Sequence, residues 1–535
     1  MATLRFILLP VCMVTTFGLT LLLAGCGTLG TPDAAVHEVI RDQAFLTLPQ
    51  ASNALKAATA EIGDTHKAPS SLDLDLNAAL RLATQYSRAL QTRREELYLS
   101  GLDVLAAVRE FEPQCAGTLD YVMAEKKTGS DKSLGGLELS TSVPLPFGGS
   151  LAAKGTSLAA SSNGLNSANY DTAAAIEVRQ PLLAGAGYEN SHDALIQANR
   201  NLVYSLRSFA LDRQDFAIGV IQKYYGLVIQ KAVLENTRMN VQQSTYLRQR
   251  SEALFKIRRA PSIDVLRSQQ QELTARNTLS LNESALQIGL SRFLVEAGLP
   301  VDIPLKTGAD IPAKKPLSLD QTSCIQLALT QRLDLKTMAE KRDDSQRRLR
   351  LARNLLLPEL DLYGKAGTRA KDADSPASGE FTPDYVAGVT LELPLDKRAE
   401  RDAIRRSTFE CDAAERAVAE KEDLIRVEIS DSFSKLLALS ETVEINKRNI
   451  EITKKRSDFA TYRFKNGDLS NRDVVEAQND LLSARNAHVR ALAQYEQQRL
   501  QLLRDVGLLD VDADGTLIEL PPPVLENHKA TARSN

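Results

Sequence analysis

Residues 464–478 have the sequence FKNGDLSNRDVVEAQ, and residues 255–269 have the sequence FKIRRAPSIDVLRSQ. The two stretches open a correspondence that continues without a gap, at a constant offset of 209, as far as Leu299 and Leu508. A second correspondence, at offset 245, joins residues 74–113 to the matching stretch of the second half. Such self-similarity predicts a structure built from two copies of one unit.

Both halves of the repeat follow the same order of segments. A helix that stops at a proline comes first, strand-like segments follow, and a very long helix, a turn and a last helix that ends at a glycine complete the unit. We therefore expect repeat one over 76–300, repeat two over 317–508 and a proline-rich linker over 301–316. The expected elements are, in repeat one, a helix over 76–112, strands within 116–182, a long helix over 188–256 and a helix over 262–298, and, in repeat two, a helix over 319–357, strands within 359–395, a long helix over 397–465 and a helix over 470–506.

The helical segments have lengths and patterns that favour coiled coils. At 1.5 Å per residue each long helix would span about 100 Å, and the two shorter helices of a half could stack end to end beside it. Val475, Leu482 and Val489 recur every seven residues, as in a coiled-coil seam. An ordinary bundle of long helices explains these heptads equally well.

The strand-like segments alternate in polarity. Leu360 and Leu362 alternate with Asp361 and Tyr363, which fits a barrel wall between lipid and water. A further run over 136–160 is either an extra barrel hairpin or an extended outer loop, and the sequence leaves both open. Two strands from each half cannot close a membrane barrel, because free edges would leave backbone groups unpaired in lipid, so several copies are required.

The first residues predict export and a lipid anchor. Residues 1–25 are mostly apolar and end in Leu23-Ala24-Gly25, directly before Cys26, a pattern that resembles the lipobox of bacterial lipoproteins. We expect residues 1–25 to be removed as a signal peptide and Cys26 to carry covalent lipid, which holds a chain on a membrane without a spanning helix. An N-terminal segment over 26–75 would follow, and residues 509–535 would form a C-terminal tail.

Composition and motifs argue against other functions. Lys and Arg number 65 against 68 Asp and Glu, so the chain lacks the basic field of a nucleic-acid-binding protein. The cysteines beyond the signal are scattered, and residues 183–190 lack the third glycine of a dinucleotide loop. We expect no enzyme activity, no metal site and no cofactor other than the lipid on Cys26.

From about Leu72 to Leu508, the order of elements and the sequences of the two turns resemble the TolC-like outer-membrane efflux factors, and the lipobox resembles their lipoprotein branch. The resemblance implies an α+β membrane protein with a periplasmic α-barrel of long helices. It implies a homotrimer whose protomers each give four strands to a shared twelve-stranded transmembrane β-barrel. It also implies an outer-membrane location, a periplasmic adaptor and an inner-membrane pump as partners, and a role as passive exit duct in efflux or type I secretion.

Two acidic residues in the second turn are candidates for a pore constriction. Asp473 and Glu476 are three residues apart near a helix start, so both can face the same way. In the resembling family, acidic residues at matching positions line the periplasmic constriction. Asp264 is the counterpart in the first turn, where Arg267 holds the position that matches Glu476. The competing interpretation is a capping box that starts with Ser470, in which the acid stabilises the helix start.

The same resemblance makes the two turns the contact sites for the adaptor. The first turn departs from the family pattern through Pro261 and two arginines. The candidate contact residues are Arg258, Arg259, Ala260, Pro261, Ser262, Asn466, Gly467, Asp468, Leu469 and Ser470. A competing hypothesis from another class is a coiled-coil lipoprotein strut that tethers the outer membrane. Small-molecule efflux, metal efflux and protein or peptide secretion all fit this sequence, because the resemblance implies that substrate choice resides largely in the pump.

Overall fold

The computed structural model describes residues 72–124, 132–161, 168–301, 303, 305–307, 313–317, 319–373, 380–466, 469–512 and 515–521. The predictions for the signal peptide, Cys26, Gly467 and Asp468 lie outside the described residues. Two compact units are present: unit 1 holds residues 97–205 and 338–417, and unit 2 holds the remaining described residues.

The helices and strands follow the predicted order. The helices are α1 (Leu76–Tyr86), α2 (Arg88–Arg109), α3 (Tyr188–Ser191), α4 (Asp193–Lys256), α5 (Ser262–Glu296), α6 (Gln321–Gln331), α7 (Leu333–Asn354), α8 (Arg398–Asn466) and α9 (Asn471–Val506). The strands are β1 (Leu72–Leu74), β2 (Gln114–Ala124), β3 (Lys132–Pro144), β4 (Ser150–Ser161), β5 (Ala168–Pro181), β6 (Leu305–Thr307), β7 (Glu359–Ala373), β8 (Thr382–Glu392), β9 (Leu509–Val511) and β10 (Leu517–Glu519). None of the described helices combines the length and apolar character needed to cross a membrane.

Unit 1 contains one antiparallel sheet with the strand order β2-β3-β4-β5-β7-β8. The run over 136–160 forms parts of β3 and β4, so it adds two strands to the sheet instead of forming an outer loop. The described sheet therefore has six strands, two more than the four that the resemblance implies for each copy. The sequence pattern left this choice open because β4 is rich in Ala, Ser and Gly, whose side chains give little contrast between the two faces.

Unit 2 has the main apolar core. Its buried side chains come from helices of both halves, since a coiled-coil-like seam on each helix must be covered by a neighbour. Among the largest are Leu80 of α1, Ile221 of α4, Leu327 of α6, Ile425 of α8 and Leu502 of α9, each at most 1% exposed. Complete burial of such a side chain contributes about 1.5–3 kcal/mol, so this core dominates the stability of the unit.

The first helix of each half is interrupted, where the sequence predicts a continuous helix over 76–112 and 319–357. Ser87 separates α1 from α2 and Arg332 separates α6 from α7, both with extended backbone, at positions that the offset of 245 makes equivalent. Gly298 has φ +74°, and a Cβ there would collide with the carbonyl oxygen of Tyr86. The end of α5 at Gly298 therefore packs against the interruption at Ser87. The end of α9 at Gly507 likewise lies beside the interruption at Arg332.

Two small pairings in unit 2 were not predicted. The strand β1 pairs in parallel with β6 of the linker, and β9 pairs with β10 in antiparallel fashion. Each strand has three residues, too few for an alternating pattern to stand out in the sequence.

Candidate functional site

The two turns that the sequence singles out lie together in unit 2. We call residues 255–267 tip one and residues 464–476 tip two. A small core buries Leu247 of α4, Phe464 and Val474, with Ala460 and Ala477. The structure therefore brings the ends of α4 and α8 and the start of α9 into one cluster.

Asn471 connects the two tips directly. Its side chain is fully buried, and its Nδ2 donates a hydrogen bond of 3.0 Å to the backbone carbonyl of Asp264. Its Oδ1 is buried without a hydrogen-bond partner. A second link runs from Arg250, whose Nη2 donates to the carbonyl oxygen of Lys465 over 3.0 Å. Both links use backbone acceptors, so they fix the position of the turns whatever side chains those turns carry.

Asp473 has the capping role that the competing interpretation predicts. The Ser470 hydroxyl donates to Asp473 Oδ2 over 2.6 Å, and the Ser470 amide donates to the same oxygen over 3.3 Å. These two residues form a capping box at the start of α9. The hydrogen bond from the Ser470 hydroxyl lowers the pKa of the Asp473 carboxyl, so this exposed group is a carboxylate at neutral pH.

Glu476 is paired with an arginine on the preceding helix. Arg456 Nη2 lies 3.1 Å from Glu476 Oε1, and Arg456 Nη1 lies 2.5 Å from Asp480 Oδ2. All three side chains are about half exposed, so each ion pair contributes at most about 1 kcal/mol. The single guanidinium therefore holds two carboxylates of α9.

Asp264 is paired with an arginine of its own helix. Its Oδ1 lies 3.4 Å from Arg267 Nη1, three residues further along the same helix. The Asp264 side chain is more enclosed than Arg267, at 17% against 40% exposed. The structure therefore places tip one's acid beside its own cation, whereas tip two's acids face Ser470 and Arg456.

The turn of tip one is strained. Arg258 has φ +56°, the left-handed conformation that favours glycine. Its amide donates to the Phe255 carbonyl over 2.9 Å and the Arg259 amide donates to the Leu254 carbonyl over 2.9 Å, which is a Schellman motif at the end of α4. At offset 209 the equivalent of Arg258 is Gly467. The side chains of 258, 259 and 261 are exposed, whereas that of Ala260 is half-buried.

Sequence reasoning missed one charged group beneath tip one. The Glu272 side chain is only 6% exposed and pairs with Arg248 of α4 and with Arg276, which lies 2.6 Å away. Burial opposes ionisation, yet hydrogen bonds from Arg248 and Arg276 outweigh it and lower the pKa of Glu272. The equivalent residue in repeat two is the buried Leu481, so an acid at an apolar heptad position was the available signal.

The sheet of unit 1 confines its described charged side chains to one face, although that face also exposes Val122, Leu134, Leu158, Tyr363 and Val386. Registered partners share a face of a sheet, and successive residues of a strand alternate between faces. In the strand residues between 114 and 369 and between 382 and 392, every charged side chain that the structure describes lies on the same face of the sheet. We call that face the charged face and the opposite one the uncharged face. Large exposed apolar side chains of the uncharged face are Leu119, Tyr121, Leu139, Ile176, Val178, Leu362, Tyr385, Val389 and Leu391.

The charged face carries ion pairs between adjacent strands. The charged side chains described there are Asp120, Glu138, Lys154, Asp171, Glu177, Arg179, Glu359, Asp361, Lys365, Arg369, Asp384 and Glu392. Lys154 lies 2.7 Å from Glu138, Lys365 lies 2.9 Å from Glu177, Arg369 lies 2.6 Å from Asp171, and Arg179 pairs with Asp361. Charge on one face alone is the pattern of a wall between water and an apolar phase.

A family model matches part of the chain, and several solved structures have a similar fold. Residues 324–508 match the family model described as "Outer membrane efflux protein". The fold is similar to the outer-membrane channel OprN, at 15% identity and TM-score 0.60, over 84% of this chain and 95% of that one. It is also similar to the Campylobacter jejuni CmeC outer membrane channel, at 13% identity and TM-score 0.63, over 83% of this chain and 90% of that one. For VceC of Vibrio cholerae the identity is 14% and the TM-score 0.61, over 81% of this chain and 96% of that one.

No protein with curated annotation matches the sequence. The predicted resemblance to the TolC-like channels is confirmed by the family model and by the fold. The matched family consists of channels and not of enzymes, in agreement with the sequence prediction.

Proposed function

We propose that this chain is the outer-membrane channel component of a tripartite efflux or type I secretion system. It is a passive exit duct for substrates that an inner-membrane pump and a periplasmic adaptor deliver. The observation that carries the proposal is that all described charged side chains of strand residues between 114 and 369 and between 382 and 392 lie on one face of the sheet. In a fold shared with outer-membrane channels, such a sheet fits a wall with lipid on one side and water on the other.

A homotrimeric ring is supported by two apolar stripes in unit 2. The outward stripe of α5 repeats every seven or eight residues and is 50–69% exposed: Leu266, Leu273, Leu281, Ile288 and Val295. The stripe of α8 repeats every seven residues and is 57–64% exposed: Ile445, Ile452 and Phe459. At offset 209 the matching positions on α4 are all polar: Asn236, Gln243 and Arg250. The two stripes differ and lie on different repeats. The stripe of one copy can therefore pack against the other stripe of the next copy, and such head-to-tail contacts close into rings.

The tips serve, in this proposal, as gate and as adaptor contact. In a trimer the carboxylates at 264, 473 and 476 would surround the axis and attract cations. The exposed residues at the two turns, 258–259, 261–262, 466 and 470, are free to meet the adaptor, which would open the tips by shifting the helices. Asp473 keeps its capping role as well. Both hydrogen bonds from Ser470 go to Asp473 Oδ2, and a carboxylate can accept further bonds at its other oxygen.

A lipid on Cys26 would add an attachment to a protein that also crosses the bilayer through its strands. We expect a Cys26→Ala protein to keep conducting trimers and to lose part of its sorting or assembly, because the strands supply insertion. Membrane fractionation and bilayer recordings of that variant measure the two properties separately. Complete loss of insertion would show that the lipid, and not the sheet, anchors the chain.

The competing hypothesis is a coiled-coil strut without a pore. A strut has no use for a sheet with one uncharged face, which is why the channel is favoured. Purified protein in planar bilayers distinguishes the two: the channel predicts ion conductance and trimers that dissociate only on heating in detergent. A non-conducting, water-soluble monomer after removal of Cys26 would support the strut.

A further inference from the structure

The hairpin formed by β3 and β4 lies inside the six-stranded sheet, because each of its two strands also pairs with a neighbouring strand. The strand β3 is registered with β2 over eleven residue pairs, and β4 is registered with β5 over twelve. The two strands have 13 and 12 residues, whereas about 9–11 residues suffice to cross a bilayer as a tilted strand. The hairpin is therefore as long as a membrane wall requires.

The hairpin also obeys the charge rule of the other strands. Leu137 and Leu139 lie on the uncharged face, in register with Leu119 and its neighbours. Glu138 and Lys154 lie on the charged face and are paired there at 2.7 Å. A loop in water has no reason to keep its charged residues off one face, so this alternation indicates the same surroundings as for β7 and β8.

The turn of the hairpin is fixed at the end of the sheet where the helices begin. Pro146 and Phe147 offer their carbonyl oxygens to the Ser191 hydroxyl over 2.6 Å and to the Gly187 amide over 3.2 Å. Gly148 has φ +90°, and a Cβ there would lie 2.6 Å from a backbone oxygen of the segment that enters α3. Membrane barrels have short turns on the periplasmic side, and this turn has that position.

The two outer strands of the sheet can close a ring of copies. Among the described residues, β2 pairs only with β3 and β8 pairs only with β7. Each has 11 residues, and the two run in opposite directions because the order contains an even number of antiparallel strands. The β8 edge of one copy therefore suits antiparallel pairing with the β2 edge of the next, with both uncharged faces on the same side.

We propose that each copy contributes six strands to the membrane wall, so that three copies close an eighteen-stranded barrel. The inference rests on the proposed channel function. Barrel diameter grows roughly linearly with strand number, so this barrel would be about 1.5 times as wide as one of twelve strands, with about twice the cross-section. The exit duct would admit correspondingly larger substrates at the outer membrane.

The first test places single cysteines on both faces of the hairpin, by Leu137→Cys and Glu138→Cys. Matched controls on β7 are Leu362→Cys and Tyr363→Cys, which alternate in the same way. The thiols at 115, 324 and 411 are first replaced by serine. Purified protein reconstituted in vesicles is then treated with a charged, membrane-impermeant maleimide.

We expect positions 138 and 363 to react at least about tenfold faster than 137 and 362, because lipid excludes the reagent from one face only. If both hairpin positions react fast while the β7 positions still differ, the hairpin is outside the wall and the six-strand count is overturned, although the channel stands. If all four react fast, the sheet is no membrane wall, and the proposed function fails with the inference.

A second test deletes residues 132–161, which leaves β2 and β5 antiparallel and able to pair. Polymers of graded size are added from the outer side of a bilayer, and the size that enters the pore is measured. We expect the cut-off diameter to fall by about one third in the deletion variant. An unchanged cut-off in a variant that still inserts and conducts would overturn the eighteen-stranded barrel.

Discussion

Tip one and tip two occupy equivalent positions of a duplicated sequence, yet they are built from different interactions. Tip one closes α4 with Arg258 in a left-handed conformation and pairs Asp264 with Arg267 of the same helix. Tip two starts α9 with the Ser470 and Asp473 capping box. The two tips thus differ in the interactions that hold each of them. This difference predicts that the acids of tip two contribute more to the constriction than Asp264, which is paired with Arg267 of its own helix.

The largest expected effect comes from removing the acids of tip two. We expect the double variant Asp473→Ala and Glu476→Ala to raise single-channel conductance about twofold or more and to lower cation selectivity, because six carboxylates leave the constriction of a trimer. Asp264→Ala is the matched change in tip one and should alter conductance little. Unchanged conductance in the double variant would remove these residues as the gate, and an equal effect of Asp264→Ala would abolish the contrast between the tips.

The buried charge below tip one gives the next largest effect. Glu272→Ala should cost about 2–3 kcal/mol of stability, because Arg248 loses its buried partner. Glu272→Leu, which installs the residue found at the equivalent Leu481, should cost less since it refills the seam. Thermal unfolding of the purified protein measures both. Equal losses for Ala and Leu would show that the ion pair itself, and not the filled space, is required.

The capping box of tip two gives a smaller difference in helix stability between the two tips. Ser470→Ala should destabilise the start of α9 by about 1 kcal/mol, since the hydroxyl bonds Asp473 and caps the helix. Ser262→Ala, at the start of α5, serves as control and should cost little, because Pro261 holds the cap position there and makes no side-chain cap bond. Hydrogen exchange at the first turns of α5 and α9 would report the difference, and equal protection losses would contradict it.

The smallest expected effect is a gain in stability. Arg258→Gly should stabilise tip one by about 0.5–1 kcal/mol, because glycine adopts φ +56° without the steric cost that an arginine bears. Arg259→Gly, one residue further on, is the control and should stabilise nothing. A loss of adaptor binding in Arg258→Gly, despite a higher unfolding temperature, would indicate that the strained arginine is kept for that contact.

Much of the fold follows from local patterns in the chain. The heptads and the final glycines predict helices over 262–298 and 470–506, and the structure has α5 and α9 over nearly the same residues. Alternation in polarity predicts strands within 359–395, where β7 and β8 lie. These patterns are readable because each helix or strand must turn one face to apolar surroundings.

Other features depend on contacts between distant parts of the chain. The interruptions at Ser87 and Arg332 carry no breaker residue, and each arises where the end of another helix, at Gly298 or Gly507, packs against the backbone. The roles of Asp473 and Asp264 were open for a similar reason: whether an acid caps its helix, pairs along it or faces the pore depends on partners that spacing does not identify.

The sequence by itself determined the duplication, the order of helices and strands, and the resemblance to outer-membrane channels, because these reside in repeats, periodicity and turn residues that are local to the chain. Only the tertiary structure decided that β3 and β4 join the sheet, that Asn471 links the tips, and that Glu272 is a buried ion pair. Strand pairing, burial and ion pairs join residues far apart in sequence, and their free energy exists only once the chain has folded.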